Sequence, residues 1–187
     1  RFYEDFLICD VYFNQIVMNS KLFTPVKLGP LTLRNCTIRS AAFESMCPGN
    51  KPSEQLLDYH RSVAAGGVGM TTVAYAAVTR SGLSFDRQLW MRPEIVSGLR
   101  RLTDAVHIEG AAASIQLGNC GNMSHKSICG CLPVGASSGF NLYSPTFVRG
   151  LRADELPEMA RAYGRAVCLA RGSGFDAVEI HVGHGYL

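Results

Sequence analysis

The sequence predicts a parallel α/β fold, and three observations support this class. After residue 50 the chain three times shows an amphipathic helix, a break containing glycine and a short apolar strand. This alternation is typical of a parallel sheet that is covered by helices and joined by right-handed crossovers. The 19 glycines stand at helix ends and strand starts and form no low-complexity tract. A chain of 187 residues with 47% hydrophobic content can bury the core of one domain or of part of a larger one.

The N-terminal part precedes these repeats. Residues 1–20 are predicted to form an irregular extension, because their apolar stretch is too interrupted by polar residues for a membrane span and lacks the layout of a signal peptide. Met18 is a candidate natural start. A hairpin is expected over 26–33, where Gly29-Pro30 has suitable turn chemistry, and the first buried strand is expected at about 36–42.

Three helix-strand units follow. Ser53 is a plausible N-cap for a helix that ends at Gly66-Gly67. Pro93 and Gly110 bracket a second helix, and Asp154 is expected to cap a third that runs to Arg171. The strands after these helices are predicted at 68–74, 111–117 and 175–181. The polar segment 118–150 is too long for an ordinary connection and predicts a functional loop over a site.

Composition excludes several classes of protein. The net charge is +3, and the basic residues are scattered, with Arg100-Arg101 the one adjacent pair, so neither nucleic acid nor a membrane is an expected partner. Seven cysteines without disulfide-framework spacing favour a reducing compartment, and hence a cytoplasmic location. Cys120, Cys129 and Cys131 are predicted to be free thiols in preference to metal ligands.

Each predicted strand ends in residues suited to a site. Active sites of parallel α/β proteins lie at the carboxyl ends of the strands. Small residues such as Ala41 and Ala42 let a flat ring lie against the backbone, and the Gln116 amide offers both a donor and an acceptor. The last strand leads into two imidazoles and a phenol within six residues, His181, His184 and Tyr186.

Periodicity alone leaves two folds and two chemistries open. Four strands with three helices fit an open doubly wound sheet or half of an eight-stranded barrel, which typically needs about 250 residues. Imidazoles at the spacing of His181 and His184 can also converge on zinc, so a metal-dependent hydrolase is an alternative. A carboxylate or third histidine at a suitable spacing is missing, because Glu179 is expected to lie deeper in the fold.

From about Lys21 onward the chain resembles the N-terminal half of the old yellow enzyme family of FMN-dependent NAD(P)H oxidoreductases. The segments that carry this resemblance occur in the family's order: Leu22-Phe23-Thr24-Pro25, Leu33-Arg34-Asn35, Asp58-Tyr59-His60, Gly66-Gly67-Val68-Gly69, Gln116-Leu117-Gly118, and Gly174-Phe175-Asp176-Ala177-Val178-Glu179-Ile180-His181 through Leu187.

The resemblance implies an incomplete (β/α)8 TIM barrel over residues 21–187, with an N-terminal hairpin and about the first four β/α units. It implies hydride transfer from NAD(P)H through FMN to an activated alkene such as an enone, enal or enoyl thioester. His181 and His184 correspond to the pair that grips the substrate oxygen, and Tyr186 corresponds to the proton donor. The implied flavin contacts are Ser40, Ala41, Ala42, Phe43, Tyr75 and Gln116, with Gln116 on the pyrimidine edge.

The chain departs from the family at several positions. Asn119 and Asn122 stand where many members carry His and Arg, and Phe43 stands where some relatives carry a redox-tuning cysteine. That role is not transferred to Cys47. The family's remaining strands, an arginine near the flavin and the phosphate-binding loops have no counterpart in this sequence, so this chain alone is expected to bind FMN weakly or not at all. The alternative is a non-catalytic half-barrel that self-associates through open sheet edges.

Overall fold

The computed structural model describes residues 20–142 and 145–187. The predicted extension over residues 1–20 therefore lies, except for Ser20, outside the described residues. The predicted hairpin is confirmed: β1 (Val26–Leu28) and β2 (Leu31–Leu33) pair antiparallel. Gly29 lies in the turn with φ of +59°, a conformation that glycine adopts without steric cost. A 3₁₀ turn, Lys21–Phe23, precedes the hairpin.

A four-stranded parallel sheet forms the centre of the fold. Its spatial order is β3 (Ile38–Arg39), β4 (Met70–Ala77), β5 (Ala112–Gly118) and β9 (Ala177–Ile180). All residues of β4 are buried, as expected for an apolar strand between two neighbours. The pairing of β4 with β5 shifts register between Val73 and Ala76. Such irregularities often stand next to active sites, because they turn a side chain out of the regular alternation.

Three helices follow the strands and cover the sheet, in the predicted order. They are α1 (Glu54–Ala65), α2 (Val96–Ile108) and α4 (Leu156–Gly172). The Ser53 side chain caps α1 by accepting the N–H of Leu56, and the 3₁₀ turn Pro93–Ile95 leads into α2. The main core lies between the helices and the sheet, and its buried side chains include Leu56, Val73, Leu99, Leu102, Val106, Ile115, Ala162, Ala166 and Ala170.

Three predicted boundaries were wrong. The first strand is only Ile38–Arg39; the Arg39 side chain donates to the Thr72 carbonyl, and in the segment that follows the Glu44 carboxylate accepts the N–H of Ala74 on β4. Asp154 does not cap the third helix: a 3₁₀ turn, Ala153–Glu155, precedes α4, and the Glu155 carboxylate accepts the N–H of Arg152. The last strand is also shorter than the predicted 175–181.

The described part of the long segment 118–150 contains several short elements. It contains one short helix, α3 (Lys126–Cys129). It also contains three strands, β6 (Val134–Gly135), β7 (Gly139–Asn141) and β8 (Thr146–Gly150), which form a small sheet of order β6-β8-β7. 3₁₀ turns at Pro48–Asn50, Arg80–Gly82 and Gly121–Met123 complete the described connections. Within the described residues, no helix is both long and apolar enough to cross a membrane.

The sheet is open at β9. Ile180 is 44% exposed and Val182, directly after the strand, is 89% exposed. Four parallel strands with helices on one side and an open last strand correspond to part of a (β/α)8 barrel. The predicted partial-barrel architecture is therefore confirmed.

Candidate active site

A cavity of about 270 Å³ opens at the carboxyl ends of the parallel strands. It brings together all but one of the predicted site residues. Ser40 is the exception, since it is exposed and lies outside the cavity lining, and Phe85 is a lining residue that the sequence analysis missed. The lining residues are Ala41, Ala42, Phe43, Tyr75, Phe85, Gln116, His181, His184 and Tyr186.

A tight turn after β9 positions the two imidazoles. His184 has φ of +59° and Gly185 has φ of +67°, and the left-handed conformation is uncommon for a residue with a side chain. This turn brings His184 Nδ1 to 3.0 Å from His181 Nε2, so the two ring nitrogens that face each other share a hydrogen bond. Burial, followed by the proximity of His184, lowers the pKa of His181. The cavity therefore favours a neutral His181 ring.

Two phenols meet beside the imidazoles. Tyr186 Oη lies 3.2 Å from Tyr75 Oη, and the Tyr186 ring stands edge-on to His181 with 5.0 Å between centroids. Tyr75 comes from the irregular part of the β4–β5 pairing, whereas Tyr186 comes from the chain after β9. Burial is the main cause that raises the pKa of both tyrosines, so both hydroxyls hold their protons at neutral pH.

The segment after β3 forms the opposite wall. Phe43 stacks on Phe85 with 4.5 Å between ring centroids and 24° between planes. Glu44 follows immediately and was missed by the sequence analysis, although its side chain is only 3% exposed. Its carboxylate is 2.6 Å from Arg39 Nη1 and accepts the N–H of Ala74. The available sequence signal for this role was a single acidic residue between Phe43 and the segment that runs to Cys47.

Gln116 lies at the cavity floor on β5. Its Nε2 donates to Glu179 Oε1 on the neighbouring strand at 2.5 Å. The amide keeps a second N–H and a carbonyl oxygen for a ligand. Glu179 lies two residues before His181 on β9 and is exposed, because β9 is an edge strand.

Of the positions at which the chain departs from the family, Phe43 lines the cavity, whereas Asn119 and Asn122 lie outside its lining. Asn119 is fully buried and donates to Thr79 Oγ1 at 3.0 Å. Asn122 lines a separate cavity of about 410 Å³, beside β7 and β8. Cys47 is packed in the main core, and burial raises the pKa of its thiol to about 12, which makes it unreactive as a thiolate.

The described residues give little support to a metal site or to disulfides. Across 20–142 and 145–187, no three His, Cys, Asp or Glu side chains form a group that could hold a metal ion. Within that same part of the chain, the cysteines are free thiols: Cys36, Cys47, Cys120, Cys129, Cys131 and Cys168. The zinc hydrolase alternative therefore finds no ligand set here.

The imidazole pair, the two phenols and the Gln116 amide lie at the carboxyl ends of the strands of a partial barrel, where the active sites of this fold are built. Residues 21–187 match the model of the NADH:flavin oxidoreductase / NADH oxidase family, and the chain belongs to this family. Members of the family use FMN with NAD(P)H as reductant. The resemblance to old yellow enzyme noted in the sequence is thereby confirmed.

Curated relatives and solved structures agree with this assignment. A 4,4'-dithiodibutanoate disulfide reductase of Rhodococcus erythropolis is 40% identical over 166 residues, which cover 89% of this chain and 41% of the relative. An NADPH dehydrogenase of Listeria monocytogenes is 34% identical over 90% of this chain and 50% of the relative. The chain thus spans half or less of the length of these relatives.

The solved structures show the same coverage. An old yellow enzyme homologue from Zymomonas mobilis superposes with a TM-score of 0.83 at 25% identity, covering 90% of this chain and 50% of the other. Morphinone reductase in complex with tetrahydroNAD gives a TM-score of 0.82 at 25% identity, with 90% and 51% coverage.

Proposed function

We propose that this chain carries the substrate-binding and proton-donating half of an FMN-dependent oxidoreductase that transfers hydride from NAD(P)H to an activated alkene. The observation that carries the proposal is the convergence of His181, His184 and Tyr186 on one cavity. The substrate class is an enone, enal or enoyl thioester, because these alkenes carry an oxygen that the N–H groups of two imidazoles can bind.

The cavity fits a flavin. Ala41 and Ala42 present only methyl groups, and the Gln116 amide has polar atoms to offer to a pyrimidine ring. The residues proposed to hold FMN are Ala41, Ala42, Phe43, Tyr75 and Gln116, with Ser40 at the margin. When bound, FMN takes up hydride from NAD(P)H and passes it to the substrate.

The imidazole pair would hold the substrate oxygen. His181 Nε2 and His184 Nδ1 bond each other at 3.0 Å, and a substrate oxygen that replaces this bond could accept an N–H from each ring, because either nitrogen of an imidazole can carry a hydrogen. Two such donors stabilise the negative charge that develops on the oxygen as the β-carbon is reduced. A neutral His181 suits this task, because it donates a hydrogen bond without giving up its proton.

Tyr186 would complete the reaction by protonating the α-carbon. Its hydroxyl lies in the cavity lining, and its ring stands edge-on to that of His181. Because burial raises the pKa of Tyr186, the hydroxyl is protonated at neutral pH and can act as a general acid. The proton on Tyr186 is then restored from water.

The test separates the two half-reactions by stopped flow in the purified flavin-loaded protein. Tyr186→Phe should leave the rate at which NADPH bleaches the yellow flavin unchanged. It should slow the reoxidation of the flavin by an enone, seen as the return of the yellow colour, by about 100-fold or more. Tyr163→Phe is the matched control, since Tyr163 is a half-buried phenol that packs against the main core, outside the cavity lining. Equal losses in both half-reactions of Tyr186→Phe would contradict the proposal.

A second candidate is favoured by the exposed edge at β9. A chain of these 187 residues that presents Ile180 and Val182 to solvent next to an unpaired strand would self-associate without catalysing a reaction. Gel filtration of the chain and of Val182→Lys tests this candidate. This candidate requires that the chain forms oligomers and that Val182→Lys dissociates them. It also requires that the chain stays colourless when FMN is added.

A further inference from the structure

Behind Tyr186, a row of polar side chains leads from the cavity into the interior. Tyr75 Oη lies 3.2 Å from Tyr186 Oη, and Cys120 Sγ lies 3.7 Å from Tyr75 Oη. Gln88 Nε2 lies 3.8 Å from Cys120 Sγ. Tyr75 is 8% exposed, whereas Cys120 and Gln88 are fully buried. The proposed reaction gives no task to Gln88 or Cys120.

Gln88 determines the direction of hydrogen bonding along this row. Its Oε1 accepts the backbone N–H of Ser84 at 2.9 Å and that of Phe85 at 3.4 Å. A backbone N–H can only donate, so the amide oxygen must face residues 84–85 and the amide nitrogen must face Cys120. Because Nε2 is a donor only, the Cys120 sulfur is the acceptor of this contact.

Besides its interactions with the side chains of Ser84 and Tyr186, the Cys120 thiol has two hydrogen-bond acceptors along this row. One is Tyr75 Oη at 3.7 Å, and the other is Gln88 Oε1 at 4.0 Å. The amide oxygen already accepts two N–H groups, so Tyr75 is the better acceptor. With its oxygen accepting from the thiol, Tyr75 directs its own hydrogen to Tyr186 Oη. The hydrogen of Tyr186 is thereby left for the cavity.

We infer that Gln88, Cys120 and Tyr75 form a directed relay of hydrogen bonds that keeps the Tyr186 hydroxyl pointing its hydrogen into the cavity and stabilises the Tyr186 phenolate. The inference rests on the proposed role of Tyr186 as proton donor. Gln88, Cys120 and Tyr75 are positioning residues in this reaction, because they act through Tyr186. Tyr186 gives its proton to the substrate carbon and regains one from water, so no proton passes along the relay.

The balance of charge explains why such a relay helps. When Tyr186 gives up its proton, its oxygen becomes negative inside a half-buried site, and a hydrogen bond to a charged oxygen is about twice as strong as one to a neutral oxygen. Tyr75 can supply this bond without ionising itself, since burial raises its pKa above that of a free phenol. The hydrogen bond from Tyr75 to Tyr186 is therefore strongest after Tyr186 has given up its proton.

The experiment measures the pKa at position 186 directly. A fluorinated tyrosine replaces Tyr186, which brings the phenol pKa into the range where the protein stays folded, and its ionisation is followed by ¹⁹F NMR in the purified protein. Tyr75→Phe should raise this pKa by about one unit, the approximate value of one lost hydrogen bond to a charged group. Cys120→Ala should raise it less, and Cys120→Ser should leave it near the parent value because a hydroxyl retains the donor.

Tyr59→Phe is the control, because it removes a phenol on α1 whose ring contacts His60 and Arg39 and no relay residue, and it should leave the pKa unchanged. A pKa that is unchanged or lowered in Tyr75→Phe, or that responds equally in Cys120→Ala and Cys120→Ser, would overturn the inference. The readout is independent of activity. If Tyr186→Phe retained full alkene reduction while the ¹⁹F shifts were as expected, the proposed function would fail and the relay would stand.

Discussion

The Glu44 carboxylate accepts the backbone N–H of Ala74, with its two oxygens 3.3 and 3.2 Å from the nitrogen. Ala74 lies in the stretch where the β4–β5 pairing shifts, so the bond gives its N–H a partner that the neighbouring strand does not provide. The same carboxylate pairs with Arg39 at 2.6 Å, and His60 Nε2 is 3.3 Å away without hydrogen-bond geometry. Glu44 thereby links the segment after β3, which contains Phe43, to strand β4, which contains Tyr75.

Replacing this carboxylate should destabilise the protein. Glu44→Gln keeps the volume but removes the charge that Arg39 needs, and it weakens the acceptor of the Ala74 N–H. We expect the free energy of unfolding to fall by about 1–3 kcal/mol in urea titrations. The matched control is Glu54→Gln, because Glu54 pairs with Arg101 at the exposed surface and should change stability little. Equal effects of the two substitutions would contradict the structural role of Glu44.

The left-handed turn at His184 predicts which substitutions it accepts. Asparagine tolerates this conformation and offers an amide N–H, whereas a β-branched residue is strained there. His184→Asn should keep the stability and most of the affinity for a small ketone ligand. His184→Val should lower the free energy of unfolding by about 1–2 kcal/mol and lose the ligand. Thermal unfolding measures the stability of the two variants, and ligand titration measures their affinity. Equal stability and equal affinity in the two variants would contradict the left-handed conformation of residue 184.

The lowered pKa of His181 predicts a pH dependence of stability. The unfolded chain titrates this imidazole near pH 6.5, whereas the folded protein binds the proton only at lower pH, because burial and His184 oppose its charge. The unfolded state therefore binds more protons as the pH falls below about 6.5, and the folded state loses stability there. In His181→Gln this part of the loss should vanish. Parallel stability curves from pH 8 to pH 5 would rule out the assignment.

Close packing beneath the site predicts the effect of a single methyl group. A Cβ at Gly82 would lie 2.7 Å from Cγ of the buried Asn119 side chain, which is held by its bonds to Thr79 and to the N–H of Gly121. Gly82→Ala should therefore cost about 1–3 kcal/mol of unfolding free energy. Gly164→Ala, on the open face of α4, should be neutral or stabilising, since nothing lies within 4 Å of that position.

The parts of the fold that local patterns determine were predictable. Strands β4 and β5 are apolar runs bounded by glycine, and the Ser53 cap and the Gly29 turn follow from the chemistry of single residues. The boundaries that failed depend on distant partners. The segment after the short first strand is held by the Glu44 side chain, which bonds a backbone N–H 30 residues away, a contact that no periodicity reveals.

The candidate site also contains residues that the sequence reveals and residues that depend on distant contacts. The imidazoles and Tyr186 could be found because they stand together in the sequence, and Gln116 because it ends an apolar strand. Phe85 could not, since its place in the lining depends on stacking against Phe43 from a separate loop. The link between Tyr75 and Cys120 was equally hidden, because the irregular pairing in β4 decides where the phenol points.

The contact between Tyr75 and Tyr186 spans 111 positions of the chain. It can form only after β9 has docked against β5, the last step in building this sheet from the N-terminus. Contacts of such long sequence separation are slow to form, because the intervening chain must first be ordered. We therefore expect the phenol pair to form late in folding, so that a partly folded chain with β3 to β5 in place would have Gln116 at the cavity floor but not yet Tyr186 beside it.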